Sequence, residues 1–159
     1  MYKKSLLFSG TATLFIGLVV LMGWFLNIPY LKTGFWGETV MKANAALAFT
    51  LSGSALLLFQ TKWRFKDFLI ILFSLVLVGL GFLNLVQDYT NILIGIDEFL
   101  VKDNSANYAG STIPGRMASS ASLSFLFIGL YTLGFSISNA KFRLISQWGL
   151  HLACFISDR

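Results

Sequence analysis

"MKANAALAFTLSGSALLLF", residues 41–59, and "MASSASLSFLFIGLYTLGF", residues 117–135, are one stretch written twice, 76 residues apart. Identical pairs are Met41/Met117, Ala45/Ala121, Leu47/Leu123, Phe49/Phe125, Gly53/Gly129, Leu57/Leu133 and Phe59/Phe135. Three more pairs, 43/119, 46/122 and 48/124, exchange Ala for Ser. Both copies are apolar, yet their first turns hold small residues where leucine would suit lipid better. Lipid tails are as apolar as leucine, so helices inside a bilayer associate through close packing, which small residues permit.

Working outward, each copy is preceded by another apolar run that carries Phe-Leu-Asn near its end: Phe25-Leu26-Asn27 and Phe82-Leu83-Asn84, 57 residues apart. The repeating unit is therefore helix, loop, small-residue helix, over about residues 5–60 and again over about 67–137. The four runs are Leu6–Leu26, Lys42–Phe59, Phe68–Gln87 and Ala118–Ile137. Each approaches the roughly 20 apolar residues that cross a hydrocarbon core about 30 Å thick. None alternates with the period of 2 that a membrane barrel needs. Composition agrees: 56% of the 159 residues are hydrophobic, 12% are charged, and mean hydropathy is +0.74. The expected fold is an all-α integral membrane protein, four transmembrane helices forming a duplicated helical hairpin. It occupies residues 1–140 as one domain. Two arrangements are open: the second and fourth helices meet across a pseudo-two-fold axis, or each small-residue patch packs only on its own hairpin partner. The packing residues are Met41, Asn44, Ala45, Leu47, Phe49, Gly53, Met117, Ala121, Leu123, Phe125 and Gly129.

Orientation follows from the short loops, because Lys and Arg collect on the cytoplasmic side. Lys3 and Lys4 precede the first run, Lys62, Arg64 and Lys66 sit between the second and third, and Lys141 and Arg143 follow the fourth. The other loops, about 28–40 and 88–116, mix Lys32, Lys102 and Arg116 with Glu38, Asp88, Asp97, Glu98 and Asp103. Both termini are expected in the cytoplasm. Trp24, Tyr30, Trp36, Trp63 and Tyr89 fall where amphipathic rings settle at the interface. The first run is longer than a signal-peptide core and no small-residue cleavage motif follows, so it reads as an anchor.

The chain offers little covalent chemistry. One Cys, Cys154, permits no internal disulfide, and one His, His151, permits no paired-histidine ligation. No metal-binding spacing occurs, and no cofactor or catalytic residue is expected. The net charge of +5 has no interleaved exposed aromatics, so nucleic acid is not an expected partner. No carboxylate lies mid-run, which argues against proton-coupled transport. In the second outer loop, Asp97, Glu98 and Arg116 are the possible ligand contacts, with solvated loop charges as the plainer alternative. "NILIGIDEFLV" (91–101) fits a short helix on the outer surface, and "NSANYAGSTIPG" (104–115) is turn-forming. Ser119 is placed to cap the last helix.

"MKANAALAF" (41–49), "GIDEFLV" (95–101) and "PGRM" (114–117) together resemble the multi-helix membrane sensor region of bacterial signalling proteins, the PAS-containing or hybrid histidine kinases and some diguanylate cyclases. The resemblance covers roughly residues 15–145. Family members carry Pro before the motif Asn, where this chain has Ala43 and Ser119. The resemblance implies a multi-pass sensory input module in the bacterial inner membrane, belonging to two-component-like signal transduction. The bilayer surrounds it, and a second copy or a signalling protein is its partner. The stimulus is not implied. Family members continue into a kinase or cyclase; here residues 141–159 read either as a basic cytoplasmic tail or as the start of a truncated fifth helix, so the chain itself is expected to be no enzyme. The rival reading is a small stand-alone membrane protein or transporter working as a homo-oligomer.

Overall fold

The computed structural model describes residues 2–33, 40–90, 92, 94–103 and 114–137. Trp36, Glu38, Leu93, His151, Cys154 and the turn at 104–113 lie outside the described residues. Five helices are present there: α1 Tyr2–Phe25, α2 Pro29–Thr33, α3 Ala43–Leu58, α4 Lys66–Thr90 and α5 Ser119–Ser136. No strand occurs among the described residues.

Three of these, Lys4–Phe25 within α1, α4 and α5, are long and apolar enough to cross a membrane. At 16 residues, α3 is a shorter apolar helix. Its rise is about 24 Å at about 1.5 Å per residue. The long helices leave much of their apolar surface uncovered: Phe8 and Phe15 on α1 and Phe68 and Phe82 on α4 are all exposed. Apolar side chains directed outward as well as inward agree with helices able to cross a membrane.

The first helix stops by a Schellman motif. Asn27 takes the left-handed conformation at φ 54°. The Ile28 N–H then reaches the Gly23 carbonyl at 2.9 Å, and the Asn27 N–H reaches Trp24 at 3.4 Å. Asparagine tolerates this conformation because its short amide bonds locally. Lys32 donates to Asn27 Oδ1 at 2.8 Å and sits 4.4 Å over the Trp24 ring. The other Phe-Leu-Asn behaves differently. Asn84 is buried inside α4, which continues to Thr90. The two tripeptides are not structurally equivalent, and the offset of 57 read from them is corrected by the packing.

A different register relates the hairpins. A side chain added at Gly17 would meet Thr50 and the Ala46 carbonyl; one added at Gly81 would meet Leu126 and the Ser122 carbonyl. Gly53 faces the backbone of Leu14, and Gly129 faces that of Val78. Gly10 faces Leu57 and Leu56, and Ser74, 64 residues on, bonds the hydroxyl of Thr132, the counterpart of Leu56, at 2.7 Å. In the Gly17/Gly81 and Gly53/Gly129 contacts the α1 and α4 residues are 64 apart while the α3 and α5 residues keep the offset of 76. The α1/α3 and α4/α5 hairpins are thus packed alike, and α4 is displaced by two turns from the tripeptide alignment.

This geometry decides between the two arrangements left open by the sequence. The closest backbone approaches, at Gly17, Gly53, Gly81 and Gly129, lie within each hairpin. Between hairpins, α3 and α5 meet chiefly through aromatic edges. Phe49 and Phe125 stand 5.4 Å apart and T-shaped, as do Phe59 and Phe135 at 5.0 Å. Both ring pairs join repeat-equivalent positions. Of the small residues expected to draw α3 onto α5, Ala46 and Gly53 instead serve α1 and Ser122 serves α4. Ala45 and Ala48 do join Leu77, Met117 and Phe125 in a shared core, with Met41, Phe49 and Ala121 at its edge. Leu47 and Leu123 are half-buried.

Candidate functional site

The polar side chains gather at one end of the bundle, where residues 94–103 cross from the α4/α5 hairpin onto α1/α3. This strap is not the short helix read from its apolar spacing. Among its described residues the backbone is irregular, with Gly95 at φ +82°. Its carbonyls are satisfied by a side chain rather than by a helical ladder: the Asn44 amide donates to Ile96 O at 2.9 Å and to Asp97 O at 3.2 Å. Buried main-chain groups need such partners, and Asn44 supplies them from the first turn of α3. Leu100 and Val101 pack over Val20, Trp24, Ala43 and Ala46, which belong to the other hairpin.

Two charge clusters pin the strap. At its far end Lys42 Nζ lies 2.6 Å from Asp103 Oδ2, with only 8% and 1% of the two side chains exposed. The same oxygen accepts the Gly115 N–H at 2.8 Å. Asp103's own N–H goes to Glu98 Oε1 at 3.0 Å. At the near end Asp97 Oδ2 accepts from Gln87 Nε2 at 2.8 Å and from Arg116 Nε at 3.3 Å. Arg116 also reaches Asp88 Oδ1 through Nη1 at 3.4 Å. Gln87 turns its carbonyl to Ile94 N–H at 3.0 Å, so one amide ties α4 to the strap twice. Gly115 is required here: its φ is +71°, and a side chain would strike the Asp97 carbonyl.

The structure therefore brings Asp97, Glu98 and Arg116 into one neighbourhood with Asp88 and Asp103. The plainer alternative, solvated loop charges, is corrected for Asp97 and Asp103, which are buried at 7% and 6% exposure. Buried charges persist only when paired and hydrogen-bonded. Glu98 is exposed, and its contribution is the bond to the strap backbone. Ser119 is corrected too. It makes no cap on α5, whose N-cap is Ala118, and its hydroxyl donates to Asp88 Oδ2 at 2.6 Å. Ser122 and Ser124 bond back to Ala118 and Ser120 carbonyls, one turn earlier.

Two members of this cluster, Lys42 and Gln87, carry no site signal of their own in the sequence. Lys42 stands at the start of an apolar run, and Gln87 at the end of one. A lysine opening an apolar helix on the acid-rich side has to find a carboxylate, and Asp103 is that carboxylate.

Chemically the cluster fastens the strap to both hairpins. No group of three or more His, Cys, Asp or Glu placed to hold a metal ion occurs among the described residues. Two buried atoms of the near-end cluster, Asp97 Oδ1 and Arg116 Nη2, have no hydrogen-bond partner among the described residues. They leave one acceptor and one donor of the cluster unmatched. Comparison with family models, with curated proteins and with solved structures found no match.

Proposed function

We propose that the chain is a membrane-embedded sensory input module of a bacterial signalling system. In this reading both termini are cytoplasmic, and the three long apolar helices and the shorter α3 all span the inner membrane. The basic 62–66 segment faces the cytoplasm, as the positive-inside rule favours. The short α3 spans by local thinning of the bilayer around it.

The observation that carries the reading is the strap. It belongs to one hairpin, is latched to the other through Lys42–Asp103 and Asn44, and ends on the partly satisfied Asp97–Arg116 pair. A cue that engages Asp97 and Arg116 from outside, with Glu98 at the rim, changes how tightly the strap holds the two hairpins together. Between the hairpins Ala45 and Ala48 pack against Leu77 and Phe125 and two ring pairs meet edge to face, without the glycine-to-backbone approaches found within each hairpin, so this seam is the one that shifts. Helix shifts of about 1–2 Å are the usual stroke of such switches. A second copy or a partner signalling protein receives the displacement.

The test is an output fusion. The full chain is joined through its C-terminus to a histidine-kinase transmitter, and autophosphorylation in membrane vesicles is measured. Asn44→Ala and Asp103→Asn, which loosen the strap, should each change the output at least threefold in the same direction. Unchanged output in both, with the fusion inserted normally, refutes the sensory role.

A further inference from the structure

On the flank where the hairpins face each other, α3 and α5 do not close. A half-open groove of about 620 Å³ runs between them, lined by Met41, Ala45, Phe49, Ala121 and Phe125 and, further along, Leu56 and Thr132. It continues into a second hollow of about 410 Å³, which shares Leu56, Tyr131 and Thr132 and ends among Phe59, Lys62 and Lys66. Both volumes fall within the range of about 300–1,000 Å³ typical of small-molecule sites.

The walls are more apolar than their composition suggests. Thr13, Ser52, Ser124 and Thr132 carry hydroxyls, but each donates to a carbonyl of its own helix: Ser9, Ala48, Ser120 and Ile128. No donor is left pointing into the groove from these residues. Its mouth has the opposite character. Lys62 and Lys66 line it, and neither has an ion-pair partner among the described residues. An occupant must therefore combine a long apolar body with a negative end.

We infer that the groove holds an anionic phospholipid, with one acyl chain along α3 and α5 and the headgroup phosphate at Lys62 and Lys66. The dimensions agree: from Phe59 to Phe49 the helix rises about 15 Å at about 1.5 Å per residue, half of a hydrocarbon core about 30 Å thick. The chain of one leaflet thus ends at the Phe49–Phe125 ring pair. Basic pockets between helices on the cytoplasmic side select anionic headgroups. Charge disfavours the rival occupants. The segment after α5 carries Lys141 and Arg143, the same sign as the mouth. A two-fold copy would present the same lysines again. The assignment rests on the membrane placement proposed above but not on the sensory role.

The experiment uses the full chain in vesicles of phosphatidylcholine and phosphatidylglycerol at 3:1, with a photoreactive acyl chain on one lipid or the other. Expected is labelling of peptides within 49–59 and 125–135, at least fivefold stronger from phosphatidylglycerol. Lys62→Gln with Lys66→Gln, on the accessible mouth, should remove that preference. Ser124→Phe, which fills the groove from α5, should suppress labelling from both lipids. Equal labelling by the two lipids, or labelling confined to other peptides, overturns the assignment. So does a photocrosslinker at Ser124 that captures residues 138–159 or a second chain instead of lipid. Retention in vesicles after an alkaline wash separates the outcomes. A chain that washes off refutes the membrane placement as well, whereas a retained chain with indifferent labelling refutes the groove assignment alone.

Discussion

Asp103→Asn is the perturbation that isolates the latch. The substituted amide keeps an oxygen for the Gly115 N–H, so the turn at 115 retains its bond, but the charge opposite Lys42 is gone. Lys42 is buried at 7% exposure and its one ion pair among the described residues is to Asp103. Breaking a buried pair from one side leaves an uncompensated charge and costs about 3–5 kcal/mol. At about 1.4 kcal/mol per tenfold change, strap opening should rise by about a hundredfold to a few thousandfold. Hydrogen exchange reads this at the amides of Asp103 and Gly115, both held by the cluster. Adding Lys42→Met should recover most of the loss, because the stranded ammonium is then removed and buried pairs are replaceable by apolar groups at little cost. Exchange within threefold of wild type in the single variant, or a double variant no better than the single, refutes the reasoning.

Other outcomes follow from the same contacts. Asn44→Ala removes both donors to the strap carbonyls, and at about 1–3 kcal/mol for a buried group left unsatisfied it should raise strap exchange at least tenfold without altering helix content by circular dichroism. Gly79 and Gly81 make a matched pair: nothing lies within 4 Å of an added side chain at Gly79, whereas at Gly81 it meets the Ser122 carbonyl at 2.6 Å. Gly79→Ala should hold or raise the detergent unfolding midpoint, since alanine favours a helix by about 1 kcal/mol over glycine, and Gly81→Ala should lower it. Gly115→Ala combines a left-handed φ with a backbone collision; it should lower the midpoint, whereas a Gly95→Ala control meets no neighbour and should cost only the φ strain, about 1–2 kcal/mol.

The membrane-type helices and the repeat of α3 in α5 were legible from apolar run length and from residue identity. Their ends were set within a few residues, because apolar composition stops where the chain meets charge. The register of α1 against α4 was not legible. Phe-Leu-Asn is short, and its asparagine does two unrelated jobs: Asn27 terminates a helix by a left-handed turn, while Asn84 is a buried mid-helix amide. Only the glycine contacts reveal the true offset. The loop acids were visible as residues but not as a lock, since the partners Lys42, Asn44 and Gln87 come from apolar runs remote in sequence. The strap's apolar spacing suggested a helix, yet its backbone is fixed by side chains that local periodicity does not encode.

Joining the strap to the relative position of the hairpins is what makes the chain a sensor in this reading, and one distance reports on it. Spin labels at Phe8 on α1 and Phe68 on α4, both exposed and both at the end opposite the strap, give the separation of the hairpins by double electron–electron resonance, in a Cys154→Ser background. Releasing the latch with Asp103→Asn should displace or broaden the main distance by about 1–2 Å or more, the stroke of packed-helix switches. An unchanged distribution, in a variant whose strap exchange shows that the latch has opened, contradicts the coupling and with it the sensory mechanism.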